Sequence, residues 1–121
     1  MSKKKKPTLL VWRDAFLSRH GPEPNARLAL MGLLKRGKPD GSGMYPGVRT
    51  VAEDTGLSER TATKYLRIAA GYGLTHDGKH WVQGPMGRDM IVGPVWIERH
   101  KRKRGEHWKS FAYLPAIPLA V

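Results

Sequence analysis

The sequence predicts an α+β fold in which about four helices come first and a small antiparallel β-hairpin or sheet follows. Up to about residue 71, apolar residues recur at the three-to-four-residue spacing of a helix, and turns containing Gly and Pro interrupt them. After Gly73 the pattern changes to short β-prone runs around Asp77-Gly78, a dipeptide typical of tight hairpins. A chain of 121 residues is the size of one domain with short tails.

The first two helices are expected at about residues 9–19 and 25–36. The apolar residues of the first, including Trp12, recur at roughly helical spacing, and the Gly- and Pro-rich segment 21–24 ends it. Asn25 is the expected N-cap of the second helix. Apolar residues cover more than one face of this helix, which predicts that it is buried centrally among the others.

A third helix at about residues 48–55 and a fourth at about 58–71 follow a Gly-rich loop. Gly56 permits a turn with positive φ, and Ser58 is the expected N-cap of the fourth helix. Ala62 begins a buried stripe at four-residue spacing on that helix. A helix, a short turn and a second helix with these features predict a helix-turn-helix over residues 48–71.

The fourth helix carries a polar stripe opposite Ala62. At about 100° per residue, Arg60, Lys64 and Arg67 lie almost opposite Ala62, and Thr61 and Thr63 flank them. Such a stripe can enter the major groove of DNA, where Arg pairs with guanine and Thr contacts a thymine methyl or a phosphate. Taken alone, three basic residues also fit a solvated face of a structural helix; the turn before them favours DNA contact.

Charge and composition narrow the class of partner. Lys and Arg number 22 against 10 Asp and Glu, and a formal charge of +12 favours nucleic acid, an anionic membrane surface or an acidic protein. The absence of Cys excludes disulfide scaffolds and Cys-based zinc sites. No apolar run approaches the ~18 residues of a membrane span. Because the charged helix buries its apolar stripe, no apolar face is left for a membrane surface either.

Several segments together resemble a known family. They are Trp12-Arg13-Asp14-Ala15, Asn25-Ala26-Arg27-Leu28-Ala29-Leu30, Tyr45-Pro46, Leu57-Ser58-Glu59-Arg60-Thr61 and Gly73-Leu74. Over about residues 12–75 the chain resembles the winged helix-turn-helix DNA-binding proteins of bacteria and their phages, which include transcriptional regulators and replication initiators. The resemblance implies that the fourth helix is the recognition helix, with DNA-facing residues Ser58, Arg60, Thr61, Thr63, Lys64 and Arg67. Ala62, where Val is usual, and residues 69–72 depart from the family pattern.

A basic cluster follows between two β-prone runs, with Gly105 to help the turn. It consists of Arg99, Lys101, Arg102, Lys103 and Arg104. We expect it to be the tip of a wing that contacts phosphates and inserts an Arg into a narrow minor groove. A solvated loop and a competing wing at Asp77-Gly78 are the alternatives. The Lys residues at positions 3–6 form a basic arm that either tracks phosphate or adds solubility.

The sequence predicts no enzyme, cofactor or metal site. His76 and His80 lie on either side of a hairpin turn and need not converge, and no Cys or well-spaced carboxylate completes a metal site. No nucleophile–base pair, P-loop or carboxylate dyad is recognisable. Trp81, Trp96 and Trp108 could stack on bases, but packing in a small β-sheet is the favoured interpretation, and Trp12 is expected in the core.

The sequence therefore predicts sequence-specific binding of double-stranded DNA, by a transcriptional regulator or a replication or maintenance factor of a phage or plasmid. The expected organisation is a basic disordered arm (residues 1–8), the DNA-binding domain (9–114, with the β wing region at 74–114) and an apolar tail (115–121). The expected location is the cytoplasm, at the nucleoid. The sequence is compatible with both a monomer and a homodimer. The alternatives are an interaction protein that docks on a host polymerase or replication protein through residues 114–121 or a β edge, and an RNA- or ribosome-associated protein.

Overall fold

The structure, a computed structural model, describes residues 7–44, 46–101 and 111–118. Within these residues the elements are α1 (Leu9–Phe16), α2 (Pro24–Lys35), α3 (Val48–Thr55), α4 (Glu59–Ala69), β1 (Ile97–Lys101) and β2 (Phe111–Pro115). The two strands form an antiparallel sheet. The expected α+β class, with four helices before a small antiparallel sheet, is confirmed at this level.

Helix α1 is anchored by aromatic side chains. Trp12 and Phe16 are fully buried and meet edge to face, with 4.9 Å between their ring centroids. The helix ends at Phe16 rather than at residue 19, because the chain turns back at Gly21, where any Cβ would lie 2.0 Å from the Phe16 carbonyl oxygen. At the other end, Thr8 is the N-cap and accepts a hydrogen bond from the Val11 amide. Thr8 therefore belongs to the domain rather than to the expected arm, of which residues 1–6 lie outside the described part.

Helix α2 packs against the other three helices, as its apolar composition predicts. It begins at Pro24 with Glu23 as the N-cap, so the expected cap at Asn25 is wrong. Proline is well suited to the first turn, because its fixed φ is already helical and its missing N–H would have no partner there. At Gly32 the helix approaches α3 so closely that a Cβ would lie 2.9 Å from Cγ2 of Thr55.

An ion pair also joins α2 to α3. The Arg36 guanidinium donates to the Asp54 carboxylate at 2.9 and 3.1 Å, and the Asp54 side chain is only 12% exposed. The hydrogen bond from Arg36, helped by the nearby Lys35, lowers the pKa of Asp54 below its ordinary value. The ionised carboxylate is therefore the form that the fold stabilises.

Helices α3 and α4 meet at a tight turn, and the predicted bounds of α3 are confirmed. Gly56 ends α3 in the left-handed conformation, with φ 78°, and its amide donates to the Ala52 carbonyl at 2.9 Å. Ser58 caps α4 as predicted, accepting from the Thr61 amide at 3.1 Å. The last residue of α4 is Ala69 rather than residue 71, and the chain leaves the helix through Gly71, which has φ 99°.

The chain between α4 and β1, here called the connecting segment (residues 72–95), holds bridges but no strands. The short β-prone runs expected around Asp77-Gly78 do not become strands: this part of the chain forms only the single bridges Leu74↔Trp81, Gln83↔Asp89 and Tyr72↔Ile91. The expected turn at Asp77-Gly78 is present, with Gly78 at φ 73°. Closely spaced Gly and Pro residues interrupt the runs before a continuous ladder can form.

The hairpin of β1 and β2 closes the core. Its register runs from Ile97↔Pro115 to Lys101↔Phe111, and Met44 bridges to Tyr113 on β2. After β2, the Ala116 amide donates to the Trp96 carbonyl at 3.0 Å, and Ile117 packs against the core. The expected domain boundary at residue 114 therefore moves to at least residue 117, whereas residues 119–121 lie outside the described part.

Candidate nucleic-acid interface

The outward face of α4 carries the first part of the candidate site. Arg60, Thr63 and Lys64 are exposed, whereas Ala62 and Leu66 on the opposite face are buried. The predicted polar and buried faces of α4 are thus both present over its first two turns. Within residues 7–44, 46–101 and 111–118, no ion pair joins Arg60 or Lys64 to an acidic side chain. Their charges are therefore open to an anionic partner.

The hydroxyl groups at the start of α4 serve the helix itself. The Ser58 hydroxyl hydrogen-bonds the Thr61 hydroxyl at 2.9 Å in addition to capping the Thr61 amide. Thr63 donates its hydroxyl proton to the Glu59 carbonyl at 2.8 Å. Ser58 and Thr63 are exposed and Thr61 is half-buried, so any contact of these residues with DNA is added to a structural role.

Arg67 differs from the expected outward position. Its side chain is 23% exposed; the guanidinium pairs with Asp89 of the connecting segment and lies 4.4 Å from the centroid of the Trp81 ring. Burial, and then the positive charge of Arg99, lower the pKa of the Arg67 guanidinium. The expectation of a freely exposed Arg67 is corrected, because residues beyond α4 fold back onto this side chain.

Arg99 also lies elsewhere than expected. It belongs to β1, where its guanidinium is half-buried between the Phe111 ring at 4.7 Å and the Tyr72 ring at 5.2 Å. It is therefore in the middle of β1, opposite Tyr113, rather than at a wing tip. Lys101 is the last residue of β1. The expected contacts of Arg102, Lys103 and Arg104 fall on residues outside the described part of the chain.

A cavity lies between the hairpin and α4. Its volume is about 200 Å³, and it is lined by Pro46, Gly47, Val48, Thr63, Leu66, Arg99, Phe111 and Tyr113. The buried Nε of Arg99 has no hydrogen-bond partner among the described residues. Burial raises the pKa of the Tyr113 phenol, and the charge of Arg99 opposes this only in part, so Tyr113 is neutral. The positive charge at this cavity thus comes from Arg99.

The tryptophans separate into two roles. Trp12 and Trp96 are in the core, as expected, and the Trp12 indole N–H donates to the Trp96 carbonyl at 2.8 Å. Trp81 stacks on Arg67 instead of joining the core, and Trp108 lies outside the described residues.

The described residues contain neither a candidate metal site nor a helix that could span a membrane. His76 and His80 are exposed, and no group of three or more His, Cys, Asp or Glu in residues 7–44, 46–101 and 111–118 could hold a metal ion. Over the same residues no helix has the length and apolar character needed to cross a membrane.

Sequence reasoning missed the acidic and aromatic residues that surround the arginines. Asp89, Tyr72 and Phe111 were given no role, yet they decide where Arg67 and Arg99 lie. The sequence did contain one signal. It has only 10 acidic residues against 22 basic ones, so each acidic side chain has several basic side chains with which it can form an ion pair. Comparison of the chain with family models, curated proteins and solved structures gave no match.

Proposed function

We propose that this chain is a winged helix-turn-helix protein that binds double-stranded DNA sequence-specifically, as a transcriptional regulator or a replication or maintenance factor of a phage or plasmid. The observation that carries the proposal is the exposed stripe of Arg60, Thr63 and Lys64 on α4, which has no acidic partner in the described residues. The opposite face of α4 is buried against α2 and α3, so the stripe is held on a rigid support.

In this proposal α4 is the recognition helix. A helix with its side chains is about 10–12 Å wide, which fits the major groove of B-DNA, about 12 Å wide. Arg60 would pair with a guanine, Lys64 with a guanine or a phosphate, and the methyl group of Thr63 with a thymine. The tight turn at Gly56 and the cap at Ser58 fix the start of α4, and thereby the direction from which it enters the groove.

The hairpin would supply the backbone contacts. Thr63 and Arg99 line the same cavity, so β1 of the hairpin borders the proposed reading face. The basic residues at positions 101–104 continue the chain from there, and they would contact phosphates beside the groove, independently of sequence.

A fluorescence-anisotropy titration with a labelled duplex tests the proposal. If about six phosphates are neutralised, the logarithm of the binding constant should fall with the logarithm of salt at a slope of about −5. Absence of duplex binding at low salt would refute the proposed function. Competition with a matched RNA duplex separates it from RNA binding: preference for DNA is expected, and preference for RNA would contradict it.

Replacing one arginine on α4 gives a sharper test. Arg60→Gln should weaken binding to the preferred duplex by about 1–3 kcal/mol and relax the base preference at one position. Arg13→Gln on α1 makes the same change of charge on an exposed side chain away from α4, and should have a small effect that is equal on all duplexes. Equal losses for the two variants would mean that Arg60 contributes only bulk charge.

A second candidate function is docking on a host polymerase or replication protein. The described part of the expected docking tail packs on the core, since Pro115 is buried and Ile117 is half-buried against it. Instead, the connecting segment exposes apolar side chains: Met86, Met90, Ile91 and Val92 are 41–83% exposed. Pull-down from cell extract before and after nuclease treatment separates the two candidates. Partners lost with the DNA favour DNA binding, and retained partners favour docking.

A further inference from the structure

Arg67 shares the outward face of α4 with Arg60 and Lys64. It is seven residues beyond Arg60, which places it about two turns, or ~10 Å, farther along the helix and within about 20° of the same direction. Arg60 and Lys64 are exposed, whereas the Arg67 side chain is 23% exposed and paired with Asp89. The same face of α4 thus carries two cations that have no acidic partner among the described residues, and then Arg67, whose charge is neutralised by Asp89.

Asp89 lies in a part of the connecting segment whose backbone is ordered by its own contacts. A bridge pairs Gln83 with Asp89, and the Gly84 amide donates to the Arg88 carbonyl at 2.8 Å. Next to Asp89, the Met90 amide donates to the Val82 carbonyl at 3.1 Å. These contacts fix the backbone at Asp89 without any contribution from Arg67, so the side chain of Asp89 starts from an ordered position.

The surroundings of Arg67 also favour the pair. Tyr72 lies between two guanidinium groups, with its ring centroid 5.7 Å from Arg67 and 5.2 Å from Arg99. Among the described residues only Asp89 forms an ion pair with either of them. Because like charges in a half-buried place repel one another, the carboxylate is needed to offset them. Trp81, 4.4 Å from Arg67, covers the guanidinium by stacking.

We propose that Asp89 is a specificity-determining residue, which holds Arg67 away from DNA and so confines base reading by α4 to its first two turns. This inference rests on the proposed function. A paired Arg67 adds no net charge to the face, so it contributes little to the salt-dependent, sequence-independent part of binding. Lowering that part while Arg60 and Lys64 keep their contacts raises the ratio of specific to non-specific affinity.

Four proteins test the inference by anisotropy on a preferred and a scrambled duplex: the wild type, Asp89→Asn, Arg67→Gln and the double variant. Asp89→Asn should bind the scrambled duplex about threefold to tenfold more tightly, because it frees one cation. Its salt slope should steepen by about 0.9, which is a further loss of about 3.5-fold between 50 and 200 mM salt. Arg67→Gln should bind more weakly than the wild type, because it leaves Asp89 unpaired on the DNA-facing side.

The double variant shows whether Arg67 is held away from DNA by Asp89 or contacts DNA directly. If the pair is withheld from DNA, removing both charges leaves the face as neutral as before, and the double variant should bind within about twofold of the wild type. If Arg67 instead contacts DNA directly, the double variant should be as weak as Arg67→Gln, and Asp89→Asn should bind no better than the wild type. That second pattern would overturn the inference.

Two controls keep the result interpretable. Asp14→Asn removes the acidic partner of Arg13 from an exposed ion pair on α1 and so makes the same change in net charge as Asp89→Asn. If Asp14→Asn tightened binding to the scrambled duplex as much as Asp89→Asn does, the effect of Asp89 would be one of net charge alone, and the inference would be overturned. Thermal unfolding of each variant shows whether the fold is intact, and the double variant carries the test if Asp89→Asn alone unfolds. Equal binding by all four proteins would overturn this inference alone. No binding by any of them would overturn the proposed function as well.

Discussion

Gly56→Ala is expected to destabilise the protein through backbone strain alone. Gly56 has φ 78°, and a Cβ built there would have nothing within 4 Å. Left-handed backbone costs a residue with a Cβ about 1–2 kcal/mol, and the lower entropy of Ala in the unfolded chain offsets about 0.4–1 kcal/mol of this. The free energy of unfolding should therefore fall by about 1 kcal/mol, measured by urea denaturation with tryptophan fluorescence at an unchanged m-value.

Gly71→Ala provides a graded comparison. Gly71 has φ 99°, and its Cβ would lie 2.9 Å from methyl groups of both Ile91 and Val95. This variant adds a steric clash to the same backbone strain, so it should cost about 1–3 kcal/mol more than Gly56→Ala. Gly56→Asn should cost less than Gly56→Ala, because Asn tolerates the left-handed region. A neutral or stabilising Gly56→Ala would refute the reasoning, since the turn would then not require a left-handed residue.

Two further predictions concern the helix contacts. Asp54→Asn should lower the unfolding temperature at pH 7. Arg36 lowers the pKa of Asp54 in the folded protein. The stability that the ionised Asp54 adds to the fold is therefore complete above its unfolded pKa of about 3.9, and it is lost as the pH falls through the folded pKa. Unfolding temperatures of the two proteins should therefore converge in acid, and a constant difference from pH 7 to 2 would contradict this. Trp12→Phe should cost about 2 kcal/mol in urea denaturation, because a packed ring and one hydrogen bond are lost while the Trp96 carbonyl keeps its bond from Ala116. A cost below about 0.5 kcal/mol would contradict the assigned role of the indole.

The turn from α3 to α4 was predictable because its determinants are local. A glycine that ends one helix, a serine that caps the next and a buried stripe at four-residue spacing all act within about ten residues, and each is found where it was expected. The start of α2 was misjudged by the same local rules. Asn25 is a good capping residue, but Pro24 was already suited to the first helical turn, which moved the cap to Glu23.

The candidate site was predictable only where it depends on one helix. Periodicity placed Arg60, Lys64 and Arg67 on a common face, and the first two are exposed there. Periodicity carries no information about a partner 22 residues later in the chain, and Asp89 is such a partner for Arg67. The position of Arg99 between Tyr72 and Phe111 likewise depends on tertiary packing, which a run of basic residues does not reveal.

Selection of bound sequences from a pool of random duplexes tests the central claim most directly, because it asks whether α4 reads bases. The wild-type chain should enrich one motif, and Arg60→Gln should lose the preference at one position of that motif while keeping the others. A palindromic motif would in addition indicate a two-fold dimer. Absence of an enriched motif, or an unchanged motif after replacement of Arg60, would contradict the account.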